Sequence, residues 1–320
     1  MRIEPLDRTF GAIVTGVSIT ELDEPAWDQV HAAWVEFALL ILPAQFPTRD
    51  QQNAFARRFG RLEFEAAAIS NLDRDGNVHA ADHDDIVKSL RGNEGWHHDS
   101  TYMPVQAKGA VFSSEIIPVS GGAATGFADM RAAYDALDDG TRERVASMSA
   151  FHSLYYSQRR ADLLPTRNDR GGYDMYGYHD LETPLRPLVK IHPDTGRPNL
   201  VIGRHAHDIV GMDTAASERF LDELNDWACQ ADERTYHHEW AVGDMVVWDN
   251  RRLMHRATPY DMTEPRRMWH TRIAGDPATE IATNHRDRVS PPGPAGPDSS
   301  AELAVSATRR RSPTLTFGAD

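Results

Sequence analysis

Cysteine is almost missing from this chain of 320 residues: Cys229 stands alone. A single thiol excludes an internal disulfide and gives no basis for a thiolate metal cluster. It sits in "LNDWACQAD" at the end of an expected helix and reads as a small buried hydrophobe. No apolar run approaches the roughly 18 residues that a membrane helix requires. The opening "MRIEPLDRTFGAIVTGV" lacks the basic-then-apolar order of a signal peptide. A membrane partner is therefore not expected, and the cytoplasm is the expected compartment. Positive charge is also scarce, with 34 Lys and Arg against 48 Asp and Glu, for a net charge of −14. An acidic body without a basic run argues against a nucleic-acid partner. A small anionic substrate remains open, because a site can be locally basic. Oligomeric state, homo-oligomer included, is not written in the composition.

What is present divides into a long body and a short end. Residues 286–320 are rich in Pro, Gly and Ser, carry an Arg triplet and offer few apolar side chains. They are expected to form a disordered tail, with one domain over 1–285. The tail carries a formal +1, so the body carries about −15. Within the body "GAIVTGVSI" (11–19), "FALLILPAQF" (37–46), "AKGAVFSSEIIP" (107–118) and "DMVVWD" (244–249) are expected strands. "TRDQQNAFARRFG" (48–60) is an expected helix, with Thr48 and Gln51 as a capping box. "DTAASERFLDELNDWACQ" (213–230) is another, with Phe220, Leu224 and Trp227 on one stripe. Strands dominate between residues 95 and 275. The fold class is mainly β with helical insertions, a sandwich or barrel core and not an alternating βαβ chain.

The stretch "EGWHHDSTY" (94–102) sets two histidines before an acid. On an extended strand residues two apart share a face, so Asp99 goes with His97 and not with His98. A metal held by such a pair needs a distant third ligand. His255, in "VVWDNRRLMHRATPYD", stands out among the 15 histidines. Two histidines and one carboxylate leave a face of the metal open, which suits a non-haem Fe(II) oxygenase. Zinc hydrolysis uses a similar set and stays open here. Iron of this type borrows electrons from a co-substrate, and 2-oxoglutarate has a far carboxylate that a planar guanidinium holds by two hydrogen bonds. "TEPRRMWHTRIAG" (263–275) supplies Arg266, Arg267 and Arg272; Arg266, Met268, His270 and Arg272 share one strand face.

At these residues the chain resembles the taurine dioxygenase and 2,4-dichlorophenoxyacetate dioxygenase family of Fe(II)/2-oxoglutarate-dependent oxygenases. The resemblance covers about residues 5–280. It runs through "ARRFGRLE", "WHHDSTYMPVQAKGAVFSSEIIP", "TGFADMRAAYDALD", "LRPLVKIHPDTGRPNLVIGRHAH", "GDMVVWDNRRLMHRATP" and "RRMWHTRIAG". Within the family it is most visible toward the bacterial enzymes that cleave (S)-phenoxypropionate herbicides. The resemblance implies a double-stranded β-helix (jelly-roll, cupin-like) with Fe(II) on His97, Asp99 and His255. It places the far carboxylate of 2-oxoglutarate on Arg266, with Thr125 helping, and makes O2 the oxidant. The family's Gly-Gly-x-Thr is altered, because "GGAATG" puts two residues between Gly122 and Thr125. Relatives often carry a substrate-holding arginine where this chain has His270. Lys88, Arg204, His205, His270 and Arg272 are the candidate substrate residues, with Tyr102 and Met103 as an apolar wall. The implied reaction hydroxylates a small organic anion and releases succinate and CO2. An aryloxyalkanoate would be cleaved to a phenol and a keto acid. A sulfonate, a sulfate ester, a biosynthetic intermediate, or a non-catalytic jelly-roll metal-binding protein are the alternatives.

Overall fold

Where the apolar side chains fall decides the layout, and the strand Met245–Asp249 shows it most clearly. Met245 and Val247 point to one side of the sheet, Val246 and Trp248 to the other, and all are buried. A strand apolar on both faces belongs in the middle of a covered sheet. In the computed structural model it is the central strand of seven. The order is Arg2–Pro5, Ala12–Thr15, Leu39–Leu42, Met245–Asp249, Gly109–Ile116, Arg267–Ile273 and Leu62–Ser70. All pairs are antiparallel except Ala12–Thr15 with Leu39–Leu42. Residues 1–173 and 175–288 are described, within a compact unit that ends at Val289.

One face of this sheet is covered by the helices Glu24–Phe37 and Arg49–Arg57, through Val30, Trp34, Phe55 and Ala56. The second helix starts at the expected capping box, in which Thr48 Oγ1 accepts from Gln51 N and the Gln51 side chain accepts from Thr48 N. The other face meets a small sheet ordered Thr235–His238, Thr125–Asp129, Leu253–Ala257. Phe127 and Leu253 of the small sheet pack with Phe112, Trp248 and Met268 of the large one. A further sheet, Ala206–Ile209, Ser149–His152 and Leu185–Pro187, and the helix Thr214–Gln230 close the outer side of the small sheet. The chain is thus sheet-rich with helices outside, as expected.

Three expectations change in detail. The buried stripe of Thr214–Gln230 runs through Ser217, Leu221, Leu224 and Ala228, while Trp227 lies exposed at 36% and its ring instead covers the Arg234 guanidinium at 4.5 Å. Cys229 packs at the edge of that core, partly buried, and burial pushes its thiol pKa up. The expected tail over 286–320 overlaps the described residues at its first three positions. Residues 286–288 complete a 3₁₀ turn, Thr283–Arg288, and 289–320 lie outside the described residues. Among the described residues no helix is long and apolar enough to cross a membrane.

Candidate metal centre and anion site

The site lies between the two facing sheets. His255 sits on Leu253–Ala257 opposite Phe127. Its parity with Leu253 turns it toward the large sheet. His97 is not in a regular strand. It makes one antiparallel bridge with His255, with His97 N to His255 O at 3.0 Å and His255 N to His97 O at 2.8 Å. After that bridge the chain turns, and Ser100 adopts φ +56°. The expected extended strand over 94–102 is therefore a bridge followed by a turn. The parity across residues 97–99 still separates the two histidines. His98 is fully buried on the other side and donates from Nδ1 to Asn250 O at 2.8 Å.

Asn250 shapes that turn. Its Oδ1 accepts from Asp99 N at 2.7 Å, and its Nδ2 donates to Asp99 O at 3.0 Å and Ala107 O at 2.9 Å. Sequence reasoning missed this residue. The signal was present in "WDNRR", a polar pair between two apolar strands, but its partner lies 151 positions away. Gly203 is a second missed element. Its φ is +108°, and a Cβ there would meet Trp96 O at 2.9 Å and the Cα of His97 at 3.2 Å. Only glycine lets this loop approach the back of the histidine segment.

The ligand-type atoms of His97, Asp99 and His255 lie within 4.8 Å of one another, and all three residues are buried. His97 donates from Nδ1 to Gly95 O at 2.7 Å, which leaves Nε2 as the lone-pair nitrogen. Burial pushes the His97 pKa down to about 4 and holds His255 well below its ordinary value, so both rings are neutral donors. Burial alone would raise the Asp99 carboxyl. The Arg272 guanidinium and the His255 and His270 rings outweigh it and hold Asp99 well below the usual carboxylate range. Asp99 Oδ2 is buried with no hydrogen-bond partner among the described residues, although His255 Nε2 stands at 3.7 Å and His270 Nε2 at 3.5 Å. Two neutral imidazoles and an ionised carboxylate with an unsatisfied oxygen fit Fe(II).

A second cluster, His192, Asp194 and Asp249, has metal-like spacing but is already filled. Arg251 donates to Asp249 Oδ2 and Asp194 Oδ2 at 2.6 Å each, and His192 Nε2 reaches Asp249 Oδ2 at 3.0 Å. A cation is built into it.

Arg266 and its neighbour part company. Arg267 is half-exposed and faces Glu115 at 3.6 Å. Arg266 is 3% exposed, and among the described residues no carboxylate pairs with it. Its guanidinium has a single long contact, to Ala123 O at 3.4 Å, its Nε is unsatisfied, and the Tyr260 ring lies 5.5 Å away. Burial pushes its pKa down to about 10, so it stays charged near neutral pH. Thr125 is buried two residues beyond Ala123 and accepts from Trp240 Nε1 at 3.0 Å, leaving its own hydroxyl proton free to donate.

The remaining candidates divide. His205 stacks edge-on against His97 (5.6 Å between centroids) and Tyr102 (4.9 Å), and hydrogen-bonds Ser157 at 2.8 Å. His270 lies flat on Trp248 at 5.7 Å, between Phe64 and Phe112. Arg272 donates to Asp99 Oδ1 at 2.6 Å. Lys88, on the helix Asp85–Gly92, faces Asp85 at 3.4 Å. Arg204 donates to the carbonyls of Gly92 and Ser157 and to Gln158 Oε1. Its charge braces the loop behind His97. Glu63 and Tyr176 were not anticipated: Tyr176 donates to the partly buried Glu63 carboxylate, and Ser100 Oγ joins both.

The family model described as "Taurine catabolism dioxygenase TauD, TfdA family" matches residues 2–273. An (S)-phenoxypropionate/alpha-ketoglutarate-dioxygenase of Sphingobium herbicidovorans is 61% identical over 284 residues, covering 88% of this chain and 98% of that protein. One of Delftia acidovorans is 55% identical over 289 residues, with the same two coverages. The crystal structure of AAD-2 in complex with Mn(II) and N-oxalylglycine has a TM-score of 0.78 and 34% identity, covering 88% of this chain and all of that one. By this match over most of its length, the chain belongs to the TauD, TfdA family of alpha-ketoglutarate-dependent dioxygenases.

Proposed function

We propose that this dioxygenase acts on an aryloxyalkanoate, and that the two facing sheets form a double-stranded β-helix around the site. His97, Asp99 and His255 are the residues that would hold Fe(II). When bound, the metal supplies the activation of O2 that no side chain can supply. The observation that carries the reading is Arg266, a buried guanidinium with no acid paired to it among the described residues, one position before the strand Arg267–Ile273 that carries His270 and Arg272. A buried unpaired charge is costly, and the far carboxylate of 2-oxoglutarate matches it in charge and planar geometry. The hydroxyl of Thr125 offers a further donor.

The relatives named for (S)-phenoxypropionate support the substrate class, and so does the lining. Tyr102, Phe64 and Phe112 lie against His205 and His270, giving an aromatic wall beside two neutral imidazoles. An aryl ring packs on such a wall, and the imidazoles orient the polar end. His205 and His270 are therefore our substrate-contacting residues, since Lys88, Arg204 and Arg272 have partners of their own. Hydroxylation at the carbon next to the ether oxygen gives a hemiketal that collapses to a phenol and a keto acid. O2 and 2-oxoglutarate are consumed, and succinate and CO2 leave.

The test is coupled turnover. (S)-Phenoxypropionate should yield phenol, pyruvate and succinate in equal amounts, above the succinate formed without substrate. If taurine or an alkyl sulfate couples and no aryloxy acid does, the substrate assignment fails.

A further inference from the structure

Arg272 is placed too deep and held too tightly for a residue that waits for substrate. It is 6% exposed, on the same inter-sheet face as Met268 and His270 of Arg267–Ile273. The guanidinium spans the turn that carries the carboxylate ligand. One nitrogen donates to Asp99 Oδ1 at 2.6 Å, the other to Ser100 Oγ at 3.0 Å. The Phe64 ring lies 4.8 Å and the Tyr176 ring 5.4 Å from its centre, so it is packed against two aromatic rings. Ser100 is itself fixed: its φ is +56°, and its hydroxyl donates to Glu63 at 3.1 Å.

From this geometry we infer that Arg272 is a positioning residue that makes Asp99 a one-oxygen ligand. The inference rests on the proposed metal site. Asn250 fixes the backbone of Asp99 on both sides, through its N–H and its C=O. The side-chain torsion is left for another group to set, and Arg272 sets it. It occupies Oδ1 and leaves Oδ2 as the oxygen with no hydrogen-bond partner among the described residues. A carboxylate that gave both oxygens to a metal would use a coordination position that a chelating co-substrate needs. Partners of a ligand on its far side characteristically change metal affinity by about 10- to 100-fold.

The alternative is that Arg272 holds the substrate's anion, and the two roles separate without substrate present. Co(II) and Mn(II) binding are measured by calorimetry on purified protein, with thermal melts as a control, for wild type, Arg272→Met and Arg272→Lys. We expect Arg272→Met to bind Co(II) at least about tenfold more weakly and to show an altered Co(II) visible spectrum, while its 2-oxoglutarate-independent melt shows that it is folded. Arg272→Lys, which keeps a donor toward Asp99, should recover part of the affinity. Equal metal affinity and equal Co(II) spectra in wild type and Arg272→Met, with a raised KM for the organic acid, would overturn the inference. Should Arg272→Met be unfolded, wild-type affinity and spectrum in Arg272→Lys with a raised KM would overturn it equally, and an altered spectrum would support it. If wild type binds neither metal, the proposed site fails first, which is a different result.

Discussion

At the scale of single residues, two adjacent arginines carry opposite roles by parity alone. Arg266 turns inward, with no acid paired to it among the described residues, and Arg267 turns outward to Glu115. Truncating a charge-assisted partner of a buried anion costs on the order of 2–4 kcal/mol, or about 30- to 1000-fold. Arg266→Ala should therefore raise the 2-oxoglutarate concentration needed for half-maximal succinate release by that factor. Arg267→Ala should change it less than about threefold, as exposed ion pairs do. Steady-state titration of both variants is the check, and a larger effect in Arg267→Ala would reverse the assignment.

At the scale of elements, the local segment around His97 depends on close approach from behind. The loop at Gly203 reaches within side-chain distance of the His97 backbone only because it has no Cβ. Gly203→Ala must tolerate a positive φ and contacts near 3 Å with Trp96 O and the His97 Cα. It should lower stability by roughly 1–3 kcal/mol and weaken metal binding in the same protein. A melt with and without Mn(II) measures both. Full metal-dependent stabilisation in this variant would show that the loop does not set the histidine's place.

Elements also show what the sequence makes legible. The central strand Met245–Asp249 could be read from "DMVVWD" because a short continuous run of apolar, β-branched residues is a local property. The pairing of Asp99 with His97 followed from counting two residues. The turn at Ser100 could not be read, because it is imposed by Asn250 and Arg272, which come from distant segments. The buried stripe of Thr214–Gln230 keeps the expected Leu224 but takes Leu221 and Ala228 in place of Phe220 and Trp227, for a similar reason. Its partner surface, Ala206–Ile209 with Val145 and Leu188, selects Leu221 and Ala228 over Trp227. The double-His stretch gave residue types and spacing; Glu63, Tyr176 and Asn250 are common residues whose roles exist only in the assembled fold.

At the scale of the whole molecule, an acidic chain buries several neutral histidines, and that gives its stability a pH dependence of definite sign. Burial pushes His97 and His98 down to about 4, and holds His152, His205 and His255 well below their ordinary value. In the unfolded chain these rings titrate near 6.5. Between those values the unfolded chain binds protons that the folded chain does not, so stability falls as pH drops from about 6.5 toward 4. The partly buried Glu63 and Glu94 carboxyls, pushed up by desolvation, work in the opposite direction but are outnumbered by the five imidazoles. Metal-free protein should melt at clearly lower temperature at pH 5.5 than at pH 7.5, with about 1 kcal/mol lost per buried imidazole. An unchanged or higher melting temperature at pH 5.5 would contradict this balance.

The central claim is that His97, Asp99 and His255 hold iron where Arg266 can anchor 2-oxoglutarate. Its most direct test is an anaerobic titration of the Fe(II)-loaded protein with 2-oxoglutarate, followed by the visible absorption that chelation of Fe(II) by a keto acid produces. The wild type should develop the band and saturate at a single equivalent. His97→Ala and His255→Ala should show none, His98→Ala should keep it, and Arg266→Ala should need far more 2-oxoglutarate to reach it. A band of wild-type strength in His97→Ala, or its loss in His98→Ala alone, would contradict the account.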